Sequence, residues 1–236
     1  VRDLGNDIDT LLARRKRWDA GREIGPRIIA AGIIDGPGKY QAPSRVLTDN
    51  EREARDAVER YARLGCPQIK IYSSLKPALV PVIVDEAHRR GLRVSGHVPA
   101  GMTAEEAIRA GVDEIQHLNF VVLNFFPEVR DTETTARFTE VARRAADLDL
   151  SADRVRAFLD LLRARHTVID PTINVFESLF TARAGTVDPA LAAVAPRLPP
   201  QVRRRALAAG LPVPAGLDGR YRDSYRALLR LLGVLH

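Results

Sequence analysis

Four segments of this chain repeat one pattern: an amphipathic helical run, a glycine or its substitute, then a short apolar run. They read YARLGCPQIKIYS, AHRRGLRVSGHVP, AIRAGVDEIQHLN and LRARHTVIDPTIN. Gly65, Gly91 and Gly111 stand where a left-handed residue closes a helix, and His166 takes that place in the fourth segment. Strands that follow one another across helical crossovers run parallel, so the alternation confines the chain to an α/β sheet. Two earlier strands are expected in VRDLG and RIIAAG, with the helix NDIDTLLARRKRWDAG between them. Six strands therefore fall near residues 1–5, 27–32, 68–73, 92–97, 113–118 and 167–173.

A doubly wound nucleotide fold and an incomplete (β/α)8 (TIM) barrel both fit that count. A dinucleotide fold needs G-x-G-x-x-G directly after its first strand, so that backbone amides can approach a pyrophosphate. NDIDT follows VRDLG instead, and no P-loop occurs. The barrel is the expected architecture, as one domain over residues 1–236. Its long connections lie between 118 and 167, where an extra helix is expected before the crossover helix, and after VIDPTIN, ahead of a final helix at about 219–232. Insertions after strand ends sit at the mouth of a barrel, over its site.

Charge and composition narrow the function. The formal net charge is +6, yet arginines mostly alternate with acids, as in DNEREARDAVER, the pattern of a solvated helix face. The basic run Arg14–Arg17 lies at helical spacing with Leu11, Leu12 and Trp18, and aromatic residues do not interleave with it. Nucleic acid is not an expected partner. The longest apolar stretch, ALVPVIV, is too short to span a bilayer. No targeting segment is visible, and the cytoplasm is the default compartment. Cys66 is the sole cysteine and reads as a small buried residue.

Of 36 basic residues only Lys16, Lys39, Lys70 and Lys76 are lysines. Lys70 lies between Ile69 and Ile71 in a strand, where a plain positive charge elsewhere in this chain is arginine. Lys70 in QIKIYSS, His97 in RVSGHVP and His117 in EIQHLNF end three consecutive strands, 27 and 20 residues apart, one strand–helix repeat each time. In a barrel those ends converge on the catalytic face. Two imidazoles and an amine gathered in a basic protein imply something negative or metallic between them, and neutral imidazole is the commonest metal ligand. An ammonium cannot ligate a cation, but a lysine amine that reacts with carbon dioxide becomes a carbamate, which can; permanently protonated arginine cannot follow that route.

These residues, with VRDLG, AHRRGLRVSGHVPAG and AGVDEIQHLN, resemble the amidohydrolase superfamily of metal-dependent hydrolases, in its imidazolonepropionase-like and Xaa-Pro dipeptidase-like branch. The likeness is strongest from Gly65 to Asn119. In that family the lysine is carboxylated and bridges two zinc ions, and the next two histidines bind the second ion; Lys70, His97 and His117 match those positions. The resemblance implies divalent metal cofactors and N-carboxylation of Lys70 by CO2. It also implies attack of metal-bound hydroxide on the amide bond of a small substrate, a dipeptide or cyclic amide. The family's H-x-H pair and its late aspartate have no counterpart here, so the chain reads as a fragment with barrel strands two to seven. The proton acceptor then lies outside it, and no catalytic residue is assigned within it. The competing reading is a non-catalytic barrel remnant or pseudoenzyme serving as an interaction scaffold; its open edges would favour a homo-oligomer. Metal content separates the two.

Other polar residues read more simply. Tyr72, two residues after Lys70, projects from the same face and either contacts substrate or packs. His88 suits the negative end of a helix, His166 is a C-cap, His236 is terminal, and Asp3 and Asp170 are structural hydrogen-bonding acids.

Overall fold

All six expected strands form, the second shifted two residues toward the C-terminus and the others shorter than expected, and they lie in one parallel sheet in sequence order: β1 Arg2–Asp3, β2 Ile29–Ile34, β3 Gln68–Ile71, β4 Arg93–Gly96, β5 Glu114–Gln116 and β6 Val168–Asp170. The computed structural model describes residues 1–42, 46–187, 191–208 and 210–236. The sheet is curled. In a flat sheet, four strand spacings would put β1 and β5 roughly 19 Å apart, beyond the reach of one arginine. Arg2 of β1 nonetheless donates to Glu114 Oε2 of β5 at 2.6 Å and to Asp170 Oδ2 of β6 at 2.9 Å. The strands thus form a half-barrel, as an incomplete barrel requires.

Local signals account for the helices. Asp7 caps α1 (Ile8–Asp19) and Asn50 caps α2 (Glu51–Arg63), each accepting from a first-turn amide. α3 spans Val80–Arg89; α4 (Ala104–Arg109) opens with a reciprocal Thr103–Glu106 capping box. Gly65, Gly91 and Gly111 adopt positive φ, and His166 at the end of α7 (Asp153–Arg165) is left-handed, as the pattern predicts. His88, in the last turn of α3, bonds the Asp113 carboxylate at 2.9 Å, and Asp3 accepts from the backbone of Gly5 and Asn6. Cys66 is buried.

The long connection after β5 holds two helices before the crossover α7, not one: α5 (Leu118–Leu123) and α6 (Ala136–Arg144). All six residues of α5 are buried, so it carries no amphipathic signature. α8 (Ile173–Thr181) and α9 (Pro200–Leu207) follow β6, and α10 (Asp218–Leu235) packs on α6 and α8. Among the described residues no helix is long and apolar enough to cross a membrane.

Side-chain alternation divides the sheet. Ile69, Ile71, Val94 and Ile115 join the apolar core. Lys70 pairs in register with Ser95, and Ser95 with Glu114, so these polar residues share the concave face.

Candidate functional site

The carboxyl ends of β3, β4 and β5 bring the predicted residues together. Lys70 and His97 point to the concave face by alternation. Gly96 makes this possible: its φ is +140°, and a Cβ there would lie 2.1 Å from the Ile71 carbonyl oxygen, so only glycine lets β4 pass β3 this closely. His117 follows the inward Gln116, and a regular strand would turn it to the other face. Its φ of 76° breaks the alternation, and its ring lies edge-on to that of His97 at a centroid distance of 4.8 Å.

Each imidazole is held through Nδ1. Ser73 Oγ bonds His97 Nδ1 at 2.8 Å, and Thr172 Oγ1 bonds His117 Nδ1 at 2.8 Å. Thr172 is itself left-handed, with φ 45°, so two strained residues face each other across one hydrogen bond, a concentration typical of functional sites. Burial, the His117 imidazole and the Lys70 and Arg137 cations hold the His97 ring well below the usual imidazole range. Burial first, then Lys70 and Arg137, lower His117 to about 4. Both rings are neutral at physiological pH.

Lys70 is 7% exposed, and no group among the described residues hydrogen-bonds its Nζ. The acids that would pair with it are already engaged by Arg2. Burial lowers its pKa to about 8, partly countered by the fields of Asp170, Glu114 and Asp3. Its ammonium lies 5.8 Å from the Tyr72 ring centroid, and Tyr72 stacks on His97 at 3.9 Å. Tyr72 thus joins the site. Asp170 bonds Arg2, the structural part expected of it.

Tyr72, His97 and His117 line a cavity of about 210 Å³ with Asn119 of α5, Arg137 of α6 and Phe176 of α8. The helices inserted after β5 and β6 therefore wall the site, as their position predicts. Sequence reasoning missed Ser73, Thr172, Asn119 and Arg137. Ser73 had a signal, a hydroxyl at the end of the same strand as Lys70; Arg137 had none among so many arginines.

Among the described residues no three His, Cys, Asp or Glu side chains gather as a metal-binding group. The arrangement nonetheless fits a metal. Imidazoles anchored through Nδ1 keep Nε2 for a ligand bond when Nδ1 carries the proton, and metal-binding histidines are commonly oriented this way. With zinc–nitrogen bonds of about 2.1 Å and tetrahedral angles, two imidazole centroids sharing one ion lie roughly 5 Å apart. The observed 4.8 Å agrees.

No family model matches the chain. Uncharacterized proteins of Mycobacterium tuberculosis and Mycobacterium bovis are 30% identical over 130 residues, which are 50% of this chain and 34% of theirs. Among solved structures, a bottromycin amidohydrolase superposes with TM-score 0.65 at 20% identity, covering 99% of this chain and 49% of that one. A Xaa-Pro dipeptidase with methionine bound in its active site gives 0.51 at 21%, covering 98% and 52%. The ochratoxinase of A. niger gives 0.50 at 18%, covering 97% and 49%. The fold is thus shared with amidohydrolases, and the chain spans about half the length of these structures and about a third of the mycobacterial relatives.

Proposed function

We propose that this chain carries part of the active site of a metal-dependent hydrolase that cleaves carbon–nitrogen amide bonds of small substrates. One observation carries the reading: two neutral imidazoles meet beside a buried amine that no described group hydrogen-bonds, each imidazole fixed through Nδ1 by a hydroxyl. The amidohydrolase and dipeptidase folds superposed above support it, and the methionine bound by the dipeptidase supports a substrate of amino-acid size.

His97 and His117, through Nε2, and carboxylated Lys70 would hold the metal. A bound divalent ion supplies carbonyl polarisation and water activation. The chain's own residues do the rest. With a pKa of about 8, Lys70 is neutral in an appreciable fraction of molecules near neutral pH. Its nitrogen adds to the carbon of CO2, an N–C bond forms, one N–H proton leaves to solvent, and a carbamate anion replaces a would-be cation. Ser73 and Thr172 accept Nδ1–H and fix both rings. Tyr72 braces His97 by stacking and lines the space a substrate enters, and Phe138 and Phe176 exclude water from it.

The test is metal content and turnover of the full-length gene product. About two ions per chain are expected, with hydrolysis of a Xaa-Pro dipeptide panel, and Lys70→Arg should lose both. A full-length protein that holds no metal and is indifferent to Lys70→Arg would favour the scaffold reading instead.

A further inference from the structure

From residue 189 to residue 217 the chain carries no aspartate or glutamate, the longest such run in the sequence, yet it holds Arg197, Arg203, Arg204 and Arg205. Many other arginines meet acids. Arg55 pairs with Asp85 and Glu86, Arg144 with Glu128 and Glu140, and Arg220 with Asp147. Among the described residues, none of the four guanidinium groups in the acid-free run has an ion pair or a hydrogen bond, and all four residues are exposed.

Three of these arginines lie on α9, and none of the residues of α9 is buried. Burial in the core therefore does not account for this helix. Pro200 presets its first turn, and backbone bonds tie down its flanks: the Gly185 amide donates to the Leu207 carbonyl at 2.8 Å, and the Leu211 amide to the Leu179 carbonyl of α8 at 2.8 Å. The segment is fixed, but its side chains stand outward. At about 100° per residue, Val202 and Ala206 share one stripe with Arg203 and Arg205 on either side of it. Leu191 and Val194, ahead of the helix, are exposed like Val202.

Exposed apolar side chains beside arginines without counter-ions match a surface that is anionic at its face and apolar beneath. A bilayer with acidic headgroups has that structure. Guanidinium forks take phosphate oxygens in pairs, while arginine stems and aliphatic side chains reach the acyl boundary. Nucleic acid fits less well, because residues 189–217 include no Phe, Tyr or Trp on which a base could stack. We propose that the described residues of the segment 191–208 form a peripheral docking surface for anionic membranes, with Arg197, Arg203, Arg204 and Arg205 on the headgroups and Leu191, Val194 and Val202 beneath them. Such a contact needs no spanning helix, and it stands independently of the hydrolase reading.

Co-sedimentation of the full chain with vesicles tests the surface, one set made of phosphatidylcholine alone and the other of an equal mixture of phosphatidylcholine and phosphatidylglycerol. The mixed vesicles should bind the protein at low salt and release it as salt rises, and the neutral ones should leave it in solution. One basic residue at an anionic bilayer is worth about fivefold in affinity, so the triple variant Arg203→Gln, Arg204→Gln, Arg205→Gln should bind on the order of a hundredfold more weakly. A second triple variant, Arg14→Gln, Arg15→Gln, Lys16→Gln, removes the same charge from α1 and should stay within about threefold of the wild type. Equal losses in the two variants would reduce the effect to net charge and overturn the proposal. Wild-type binding to neither vesicle, or to both alike, would overturn it as well, and that comparison decides even if a variant fails to fold. Capture of a mixed-sequence RNA that depends on the α9 arginines, with vesicles ignored, would make the surface a nucleic-acid site and sink the membrane reading.

Discussion

Two groups of polar residues share the concave face of the half-barrel, a lower and an upper level, and they are built differently. In the lower, Arg2 ties Glu114 to Asp170, Gln68 donates to Ser95, and Ser95 donates to the Ile69 carbonyl. Its groups satisfy one another, and the level acts as scaffold. In the upper, among the described residues, His97 and His117 have only their Nδ1 atoms engaged, the Asn119 side chain has no partner, and Gln116 is anchored to Glu114 through Nε2 while its Oε1 has none. Burying polar groups without partners is unfavourable, so the upper level is held together less completely than the lower. Lys70 belongs to the lower level by register and to the upper by its free amine.

Gly96 sits between Ser95 below and His97 above, so removing its freedom breaks both levels together. Gly96→Ala sets a Cβ against the Ile71 carbonyl in a conformation closed to alanine. The expected destabilisation is roughly 3–5 kcal/mol, read by chemical denaturation. A near-neutral result would mean that β3 and β4 can separate without harm, and the levels would not share a common frame.

Acid separates the levels. The ordinary imidazole pKa of 6.5 falls to about 4 for folded His117, and His97 shifts the same way. Above pH 6.5 both rings are neutral whether the chain is folded or not. Between about 6.5 and 4 the unfolded chain takes up protons that the fold refuses, so stability of the metal-free protein falls as pH drops through that window. The His117 share is about 3 kcal/mol. Melting temperatures across this range measure it, and His117→Gln should flatten the slope. An unchanged slope in that variant would place the acid sensitivity elsewhere.

The contrast also explains what the sequence made legible. Strand number, order and the left-handed His166 could be read because each helix–strand repeat carries its own local punctuation. Lys70 and His97 could be read because strand alternation carries their direction. His117 was legible by position only: its approach to His97 depends on a positive φ that no residue preference for histidine announces. Asn119 and Arg137 were not legible. Each sits on an inserted helix, and long-range packing of α5 and α6 over the strand ends, not local pattern, brings them to the imidazoles.

The hydroxyls that hold the rings offer a finer cut. Ser73→Ala and Thr172→Val each leave one Nδ1 without its partner while the backbone frame stays. In the full-length protein each should weaken zinc about 10- to 100-fold by chelator competition. Unchanged zinc affinity in both variants would mean that packing alone orients the imidazoles.

The smallest expected effect tests the join between the levels at Lys70. Arg2 occupies Glu114 and Asp170, and those two carboxylates are the ones whose fields reach the Lys70 amine. Arg2→Met removes a cation that lowers the Lys70 pKa and frees two anions that raise it, so both consequences have the same sign. The pKa should climb from about 8, by about one unit. The neutral amine near pH 7 then falls about tenfold, and carbamate formation falls with it. Carbon-13 NMR with labelled bicarbonate reads the carbamate directly, and titration of the Lys70 side chain reads the pKa. If Lys70 titrates unchanged in Arg2→Met, the lower level does not govern the amine, and the reason for a lysine at this position must lie wholly in the cavity above it.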